Sequence, residues 1–339
     1  VTFLPSSNGL GHINRCILLA IKFIKEGWDC DIWCLQKHFD KLILTISEID
    51  NIKKINCMNL SMPSVNDFMS RNPISNSFLI EAKEKLKNSD LVISDNHLES
   101  LLISRKVILS ANFFWHQNYL SELKKDHYQK YISSLLKKYN PNIISSKIFQ
   151  DRINNSFVNN YFIGLIVNND SLVFEKNKRF KKDSILVSAG MTENSILDAL
   201  KITQKLVDNK IHLKRRIYIE PRLTKYNSWP KEIEEAEYTQ EMYKSLICAF
   251  IRPGLGTLVN CLSNYVCPIC FCEPNSLEMK NNKMVIEKSK IGLVYNKNLT
   301  KYSEIKKLDN KANNILSKIK LLDFNGTNQF YDNCLEIYD

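Results

Sequence analysis

A histidine stands in the octet "NGLGHINR" (Asn8 to Arg15), between an apolar run and a helical pattern. Val1 to Leu4 is short, apolar and β-prone and reads as a buried strand. From Asn14 onward Cys16, Leu19, Ala20, Phe23 and Ile24 repeat at helical spacing, with a stop at Gly27. The octet is therefore a strand-to-helix turn, in which Gly9 and Gly11 allow positive φ and close backbone approach. The helix start beyond it offers unpaired N–H groups to an anion. His12 falls at or just before the first helical turn, where the helix dipole disfavours an imidazolium, and a neutral ring suits a general base. A histidine that merely caps the turn accounts for the same position. Two familiar motifs are excluded. A dinucleotide fingerprint needs a third glycine where Asn14 stands and an acid after the second strand, but "WDCDIWCL" runs into Gln36 and Lys37. A P-loop needs a Gly-Lys-Ser/Thr that does not follow.

A second constellation lies in Phe250 to Asn296. A strand ends at Arg252, turns through Pro253, Gly254, Leu255 and Gly256, and is expected to enter a helix at Thr257. Glycines let the backbone approach a phosphate, and Thr257 with the helix N-terminus donates hydrogen bonds to it. Arg252 can add a bidentate charge-assisted contact. A further strand leads to "EPNSLEMKNN", a polar loop opening a helix that carries Glu278 and Asn282.

Alternating strands and helices must position these residues. Strands are expected at 1–4, 29–35, 53–57, 90–94 and 107–110, then a helical stretch from Leu120 to Tyr139 and a last strand in "NYFIGLIV". The basic, polar "NNDSLVFEKNKRFKKD" reads as a linker. A second series follows, with strands in "SILVSAG", "RRIYIEP", "ICAFIR", "VCPICF" and "GLVYN". The expected fold class is α/β, with two Rossmann-like, doubly wound parallel-sheet domains facing a central cleft. The domains are set at 1–168 and 183–339 with a linker at 169–182, the last helix being able to return to the first domain.

A chain of 339 residues, 44% apolar and 24% charged, fits two ordinary globular domains. Nothing approaches a transmembrane run, and the apolar start lacks the basic flank and cleavage site of a signal peptide. The chain opens on Val1 rather than Met, so residues upstream of it are expected. These features point to the cytoplasm. Ten cysteines are scattered through apolar segments. Only "CPIC" has ligand spacing, without a second pair, so buried thiols in a reducing compartment account for them better than zinc or redox chemistry. The net charge of +11 favours an anionic partner, but no nucleic-acid-binding module is present.

Taken together, "PGLGT…EP…E-x-x-x-N…E-x-x-x-x-G" and "NGLGHINR" resemble glycosyltransferases of the GT-B fold, closest to the bacterial branch that contains the peptidoglycan N-acetylglucosaminyltransferase. The resemblance covers nearly the whole chain, including "DLVISD" and "AEYTQEMY". It implies a nucleotide-sugar donor, usually a UDP-sugar, held by the second domain, with no cofactor or metal. It gives His12 a catalytic or acceptor-side role, with Gly9, Gly11 and Arg15 completing that turn. Gly254, Leu255, Gly256 and Thr257 match the diphosphate loop, with Arg252 ahead of it. Glu278 and Asn282 match polar positions at the donor sugar, and Thr239 to Met242 the loop whose backbone cradles the base. Two positions depart from the pattern. Asn260 stands where an acid commonly binds the ribose hydroxyls, and Met279 where a glutamine often contacts the sugar.

Asp95, at the end of its strand, joins His12 as a catalytic candidate. His97 and Glu99 follow it, and Asn112, Trp115 and His116 end the next strand, as acceptor-site candidates or as turn caps and a packed aromatic cluster. The basic, aromatic stretch Leu120 to Asn140 reads as a solvated lysine face or as peripheral contact with an anionic membrane, where a glycan or lipid-linked acceptor would enter. The expected activity is inverting transfer of a sugar from a nucleotide-sugar to a hydroxyl acceptor, in cell-surface glycan or glycolipid synthesis. Three alternatives remain open: a nucleotide-sugar hydrolase of a nonulosonic-acid pathway, a non-catalytic nucleotide-sugar-binding partner of a membrane enzyme, and a sugar-nucleotide epimerase.

Overall fold

The computed structural model describes residues 1–6, 9–43, 45–46, 48–62, 76–112, 122–150, 158–168, 182–190, 195–271 and 276–338. The chain divides into two compact units, Val1–Val167 with Asp323–Asp339, and Asn168–Leu322. Residues 169–181 of the expected linker lie outside the described residues.

The first unit is built on seven parallel strands: β1 (Thr2–Pro5), β2 (Asp31–Ile32), β3 (Asn56–Cys57), β4 (Val92–Asp95), β5 (Val107–Ser110), β6 (Asn142–Ser146) and β7 (Asn159–Ile163), in the order β3-β2-β1-β4-β5-β6-β7. Successive residues on a strand face opposite sides, and both sides are apolar. Phe3, Ile32, Ile93, Ile108 and Ile144 enter one core, and Leu4, Trp33, Val92, Leu109 and Ile143 the other. Helix α1 (Leu10–Lys25) buries Ile13, Cys16, Ile17, Ala20 and Phe23 in the first core.

The second unit holds β8 (Ser184–Ser188), β9 (Ile217–Ile219), β10 (Ile233–Glu235), β11 (Leu246–Ile251), β12 (Cys267–Cys270) and β13 (Leu293–Val294), again all parallel, in the order β10-β9-β8-β11-β12-β13. Helices α2 (Gln240–Ser245), α3 (Leu255–Ser263) and α4 (Leu277–Lys288) connect β10 to β11, β11 to β12 and β12 to β13. The last helix, α5 (Gly326–Tyr338), belongs to the first unit. There Phe330, Tyr331 and Cys334 join the core beneath α1, with the Phe23 and Tyr331 rings 4.9 Å apart.

In each sheet the strand order reverses once, between β1 and β4 and between β8 and β11. The loops leaving two neighbouring strands part there in opposite directions, which opens a crevice at their carboxyl ends. Two strands have no counterpart in the sequence reading. β6, "NIISS", follows Pro141, and three of its five residues are serine or asparagine. β10, "IEE", is an edge strand whose two glutamates face solvent, so no apolar alternation marks it.

Candidate active site

At the β1/β4 crevice, Pro5 lies beside Asp95 in register. The helix after β1 starts at Leu10, earlier than the periodicity from Asn14 suggests. Gly9 is its N-cap, at φ 153°, a backbone conformation open to glycine. Gly11 and His12 therefore sit inside the first helical turn, and the His12 amide donates to the Gly9 carbonyl at 3.3 Å. Arg15, one turn further, aims back at the end of β4. Its Nε donates to Asp95 Oδ2 at 2.9 Å and its Nη2 to Asp95 Oδ1 at 2.5 Å, a two-point fork. His12 Nδ1 lies 3.2 Å from the same Oδ1 and 3.2 Å from Arg15 Nη2.

The Asp95 side chain is fully buried, whereas His12 and Arg15 each keep 18% of theirs exposed. Burial alone would raise the Asp95 carboxyl. The Arg15 charge, then His12, outweighs it and holds the pKa at about 2. The carboxylate is thus ionised at neutral pH and fixed in place by Arg15. An ionised acceptor favours the imidazole tautomer with Nδ1–H donating to Asp95, which leaves the lone pair on Nε2.

The β8/β11 crevice has a different character. The β11 strand runs to Ile251, and the Arg252 amide donates to Ser188 O at 3.1 Å. Asn282, buried on α4, donates from Nδ2 to Pro253 O at 2.8 Å and pins the turn. α3 starts at Leu255 rather than Thr257, with Gly254 as an N-cap that provides no side-chain bond. The first-turn amides of Leu255, Gly256 and Thr257 have no carbonyl one turn back to accept them, so they form an anion-facing end. The Arg252 guanidinium passes between two glycines. A Cβ on Gly190 would lie 3.8 Å from Nη1, and one on Gly254 3.7 Å.

The other side of this crevice escaped the sequence reading. Glu220 follows the last residue of β9 and is buried. Its Oε2 accepts from the Ala189 amide at 2.9 Å, and its Oε1 accepts from Arg222 Nε at 2.5 Å. Arg222 Nη2 also donates to Gly190 O. The Tyr238 hydroxyl and Ser188 Oγ are 2.9 Å apart, and burial pushes the phenol well above its ordinary value, keeping it neutral. The signal was present in "SAG" at the end of β8 and in "EPR" after "RRIYI", where an acid closes the second strand of a doubly wound unit.

The remaining sequence candidates divide. Thr239 caps α2, its Oγ1 accepting from the Met242 amide at 3.3 Å, so Thr239 to Met242 form a helix start rather than an open loop. Asn260 hydrogen-bonds the buried Tyr243 through its side chain. Glu278 lies in the first turn of α4. Asn112 Oδ1 accepts from the Ser146 amide at 2.8 Å and ties the end of β5 to that of β6. His97 and Glu99 are buried, 3.8 Å apart. Trp115 and His116 lie outside the described residues. No described helix is long and apolar enough to cross a membrane.

No protein-family model matches the sequence, and no curated protein matches it. Solved structures do match. Spinosyn forosaminyltransferase SpnP is similar with a TM-score of 0.65 at 10% identity, over 99% of this chain and 98% of its own. The calicheamicin glycosyltransferase CalG4 is similar at 0.59 and 13%, over 99% and 97%. Arabidopsis thaliana UGT89C1 complexed with UDP is similar at 0.62 and 9%, over 99% and 98%. At such identities the likeness concerns the backbone, and the likeness to the peptidoglycan branch rests on sequence motifs alone. The chain has the fold of the GT-B glycosyltransferases, two parallel-sheet α/β domains.

Proposed function

We propose that the chain is an inverting glycosyltransferase that moves a sugar from a nucleotide-sugar, a UDP-sugar in the first instance, to a hydroxyl acceptor. The observation that carries this reading is the His12–Asp95 pair, with a buried carboxylate 3.2 Å from His12 Nδ1 and locked by Arg15. In the forward step His12 Nε2 takes the acceptor hydroxyl proton as the oxygen attacks the anomeric carbon. The C–O bond to the diphosphate breaks on the opposite face. Asp95 stabilises the imidazolium that forms and holds the ring's tautomer.

The donor half of the proposal rests on the second unit. Arg252 and the first-turn amides of α3 receive the departing diphosphate and stabilise its growing charge. The Ala189–Gly190 turn, held by Glu220 and Arg222, is the opposite wall of the same crevice. Asn282 acts by pinning Pro253. Charge neutralisation is assigned to the chain's own groups and calls for no cofactor.

The test is a thermal-shift titration with UDP, GDP, TDP, CMP and several UDP-sugars, followed by turnover of the donor that binds. A ligand that binds only the folded chain stabilises it by about 2.7 kcal/mol at 100 times its Kd. The expected result is a shift with one nucleoside diphosphate and acceptor-dependent sugar transfer. Sugar release without any acceptor would replace the transferase by a hydrolase. No shift with any nucleotide would overturn the donor site and leave a non-catalytic role.

A further inference from the structure

Cys34 and Cys57 bring their sulfurs to 3.8 Å at the carboxyl ends of the neighbouring strands β2 and β3. Cys57 Sγ also lies 3.4 Å from the Cys34 carbonyl, so the two side chains converge. Cys34 is 2% exposed and Cys57 is half-buried. Neither belongs to the His12 or Arg252 constellations. We propose that Cys34 and Cys57 form a dithiol modification site, which a hydroperoxide entering at Cys57 closes reversibly to a disulfide.

A disulfide needs an S–S distance of about 2.05 Å, so the sulfurs must close by somewhat under 2 Å. Only short segments have to yield. Both strands are two residues long, β3 is the sheet edge, and Cys34 lies beyond the last residue of β2. In the first step the Cys57 thiolate attacks the peroxide. An S–O bond forms as the O–O bond breaks, and the leaving oxygen departs protonated as water or an alcohol. In the second step Cys34 loses its proton and its sulfur attacks that of Cys57. The S–S bond forms, the S–O bond breaks, and the hydroxyl leaves with that proton as water. Two electrons pass from the two sulfurs to the peroxide. Burial, then the neighbouring Cys57, pushes the Cys34 thiol far above its ordinary value. The second step is therefore slow, and sulfenic acid at Cys57 accumulates before the bridge closes.

The experiment treats the reduced full chain with hydrogen peroxide, blocks remaining thiols with N-ethylmaleimide under denaturing conditions, and maps the peptides by mass. The expected result is a Cys34–Cys57 cross-linked peptide, two hydrogens lighter than the reduced pair, which dithiothreitol removes. In Cys34→Ser, dimedone should trap Cys57 as its sulfenic acid, and in Cys57→Ser no bridge should form. The half-exposed position of Cys57 keeps that variant informative should Cys34→Ser fold poorly. Three outcomes would overturn the site: an unchanged thiol count, irreversible oxidation of Cys57 with no bridge, or Cys34 pairing instead with Cys16, which lies within its electrostatic reach.

Discussion

Replacing Asp95 by Asn tests the dyad more sharply than deleting His12, because the shape of the side chain is kept while its charge and tautomer control go. The carboxamide can turn its NH2 toward His12 Nδ1 and so move the ring proton to Nε2, the atom meant to accept a proton. Loss of the anion also removes the carboxylate that would stabilise the forming imidazolium beside the Arg15 charge. Opposite unit charges about 4 Å apart interact by about 4 kcal/mol at an effective dielectric of about 20. General-base catalysis contributes about 10²–10⁴-fold in rate, so a fall in kcat/KM of roughly 10³ is expected for Asp95→Asn and a similar one for His12→Ala. If His12 acts through Asp95, the two losses overlap, and the double variant falls no more than about 3-fold below either single one. Independent roles would instead multiply to roughly 10⁶. Asp95→Asn removes the carboxylate that Arg15 pairs with, at a stability cost of about 2 kcal/mol, so the assay is run cold on protein whose folding is checked by its melting curve. Nucleotide affinity serves as the internal control and should stay within about 2-fold, because the proposed donor groups belong to the other unit. Full turnover by His12→Ala, or multiplicative losses, would refute the dyad.

The lowered Asp95 carboxyl makes stability depend on acid. Its folded value of about 2 lies below the unfolded one, so the stabilisation is present above the unfolded value and is lost as pH falls from about 5 toward 2. The fall is about 2 kcal/mol from this group, visible as a steeper acid limb in urea midpoints than Asp95→Asn shows. Arg252→Ala should weaken nucleoside-diphosphate binding by about 1.5–3 kcal/mol, roughly 10- to 150-fold, and affect the uncharged nucleoside little. An equal loss for both, by calorimetry, would mean Arg252 only holds the loop. Glu220→Gln should raise the donor KM more than it lowers kcat, since it loosens the Ala189–Gly190 turn without touching the reacting atoms; the reverse split would place Glu220 elsewhere in the reaction. Gly326→Ala should destabilise the first unit by about 1–3 kcal/mol, because the added methyl would meet backbone at 2.5 Å from Gly164 O, and an unchanged melting temperature would contradict that packing.

The fold was largely legible because a parallel sheet covered on both faces writes itself as continuous apolar runs. "LVIS" and "VILS" could hardly be surface, and Phe3 and Leu4 go to opposite cores as strand geometry requires. His12 was found for a local reason, since a glycine turn between strand and helix is visible in a window of eight residues. Its link to Asp95 is not local. The two are 83 positions apart, and they meet only because β1 pairs with β4 rather than with an edge strand. Glu220 and Arg222 were missed on the same ground. "EPR" looks like an ordinary strand exit until β9 is known to lie beside β8, where the Ala189 amide waits for a carboxylate. Register errors at helix starts have a smaller cause. Leu10 and Leu255 begin their helices before the apolar repeat does, because first-turn residues need no buried face.

The two crevices arrange their charges differently. Each unit pairs an arginine with a carboxylate near its switch point, Arg15 on α1 with Asp95 at the end of β4, and Arg222 with Glu220 in the turn after β9. In the first, the pair cancels its own charge and presents an imidazole. In the proposed role that ring takes a proton at Nε2 while Asp95, at Nδ1, stabilises the charge that forms. In the second, the pair is turned toward the backbone, where it holds the Ala189–Gly190 turn, and a further cation, Arg252, stands beside a helix start whose N-cap, Gly254, has no side chain to bond it. That end favours an anion. The proposed displacement of a diphosphate by a hydroxyl asks for both components, a base and an anion receptor. Neither alone would suffice: a base without the receptor leaves the departing charge unstabilised, and a receptor without the base holds the nucleotide and does nothing to it.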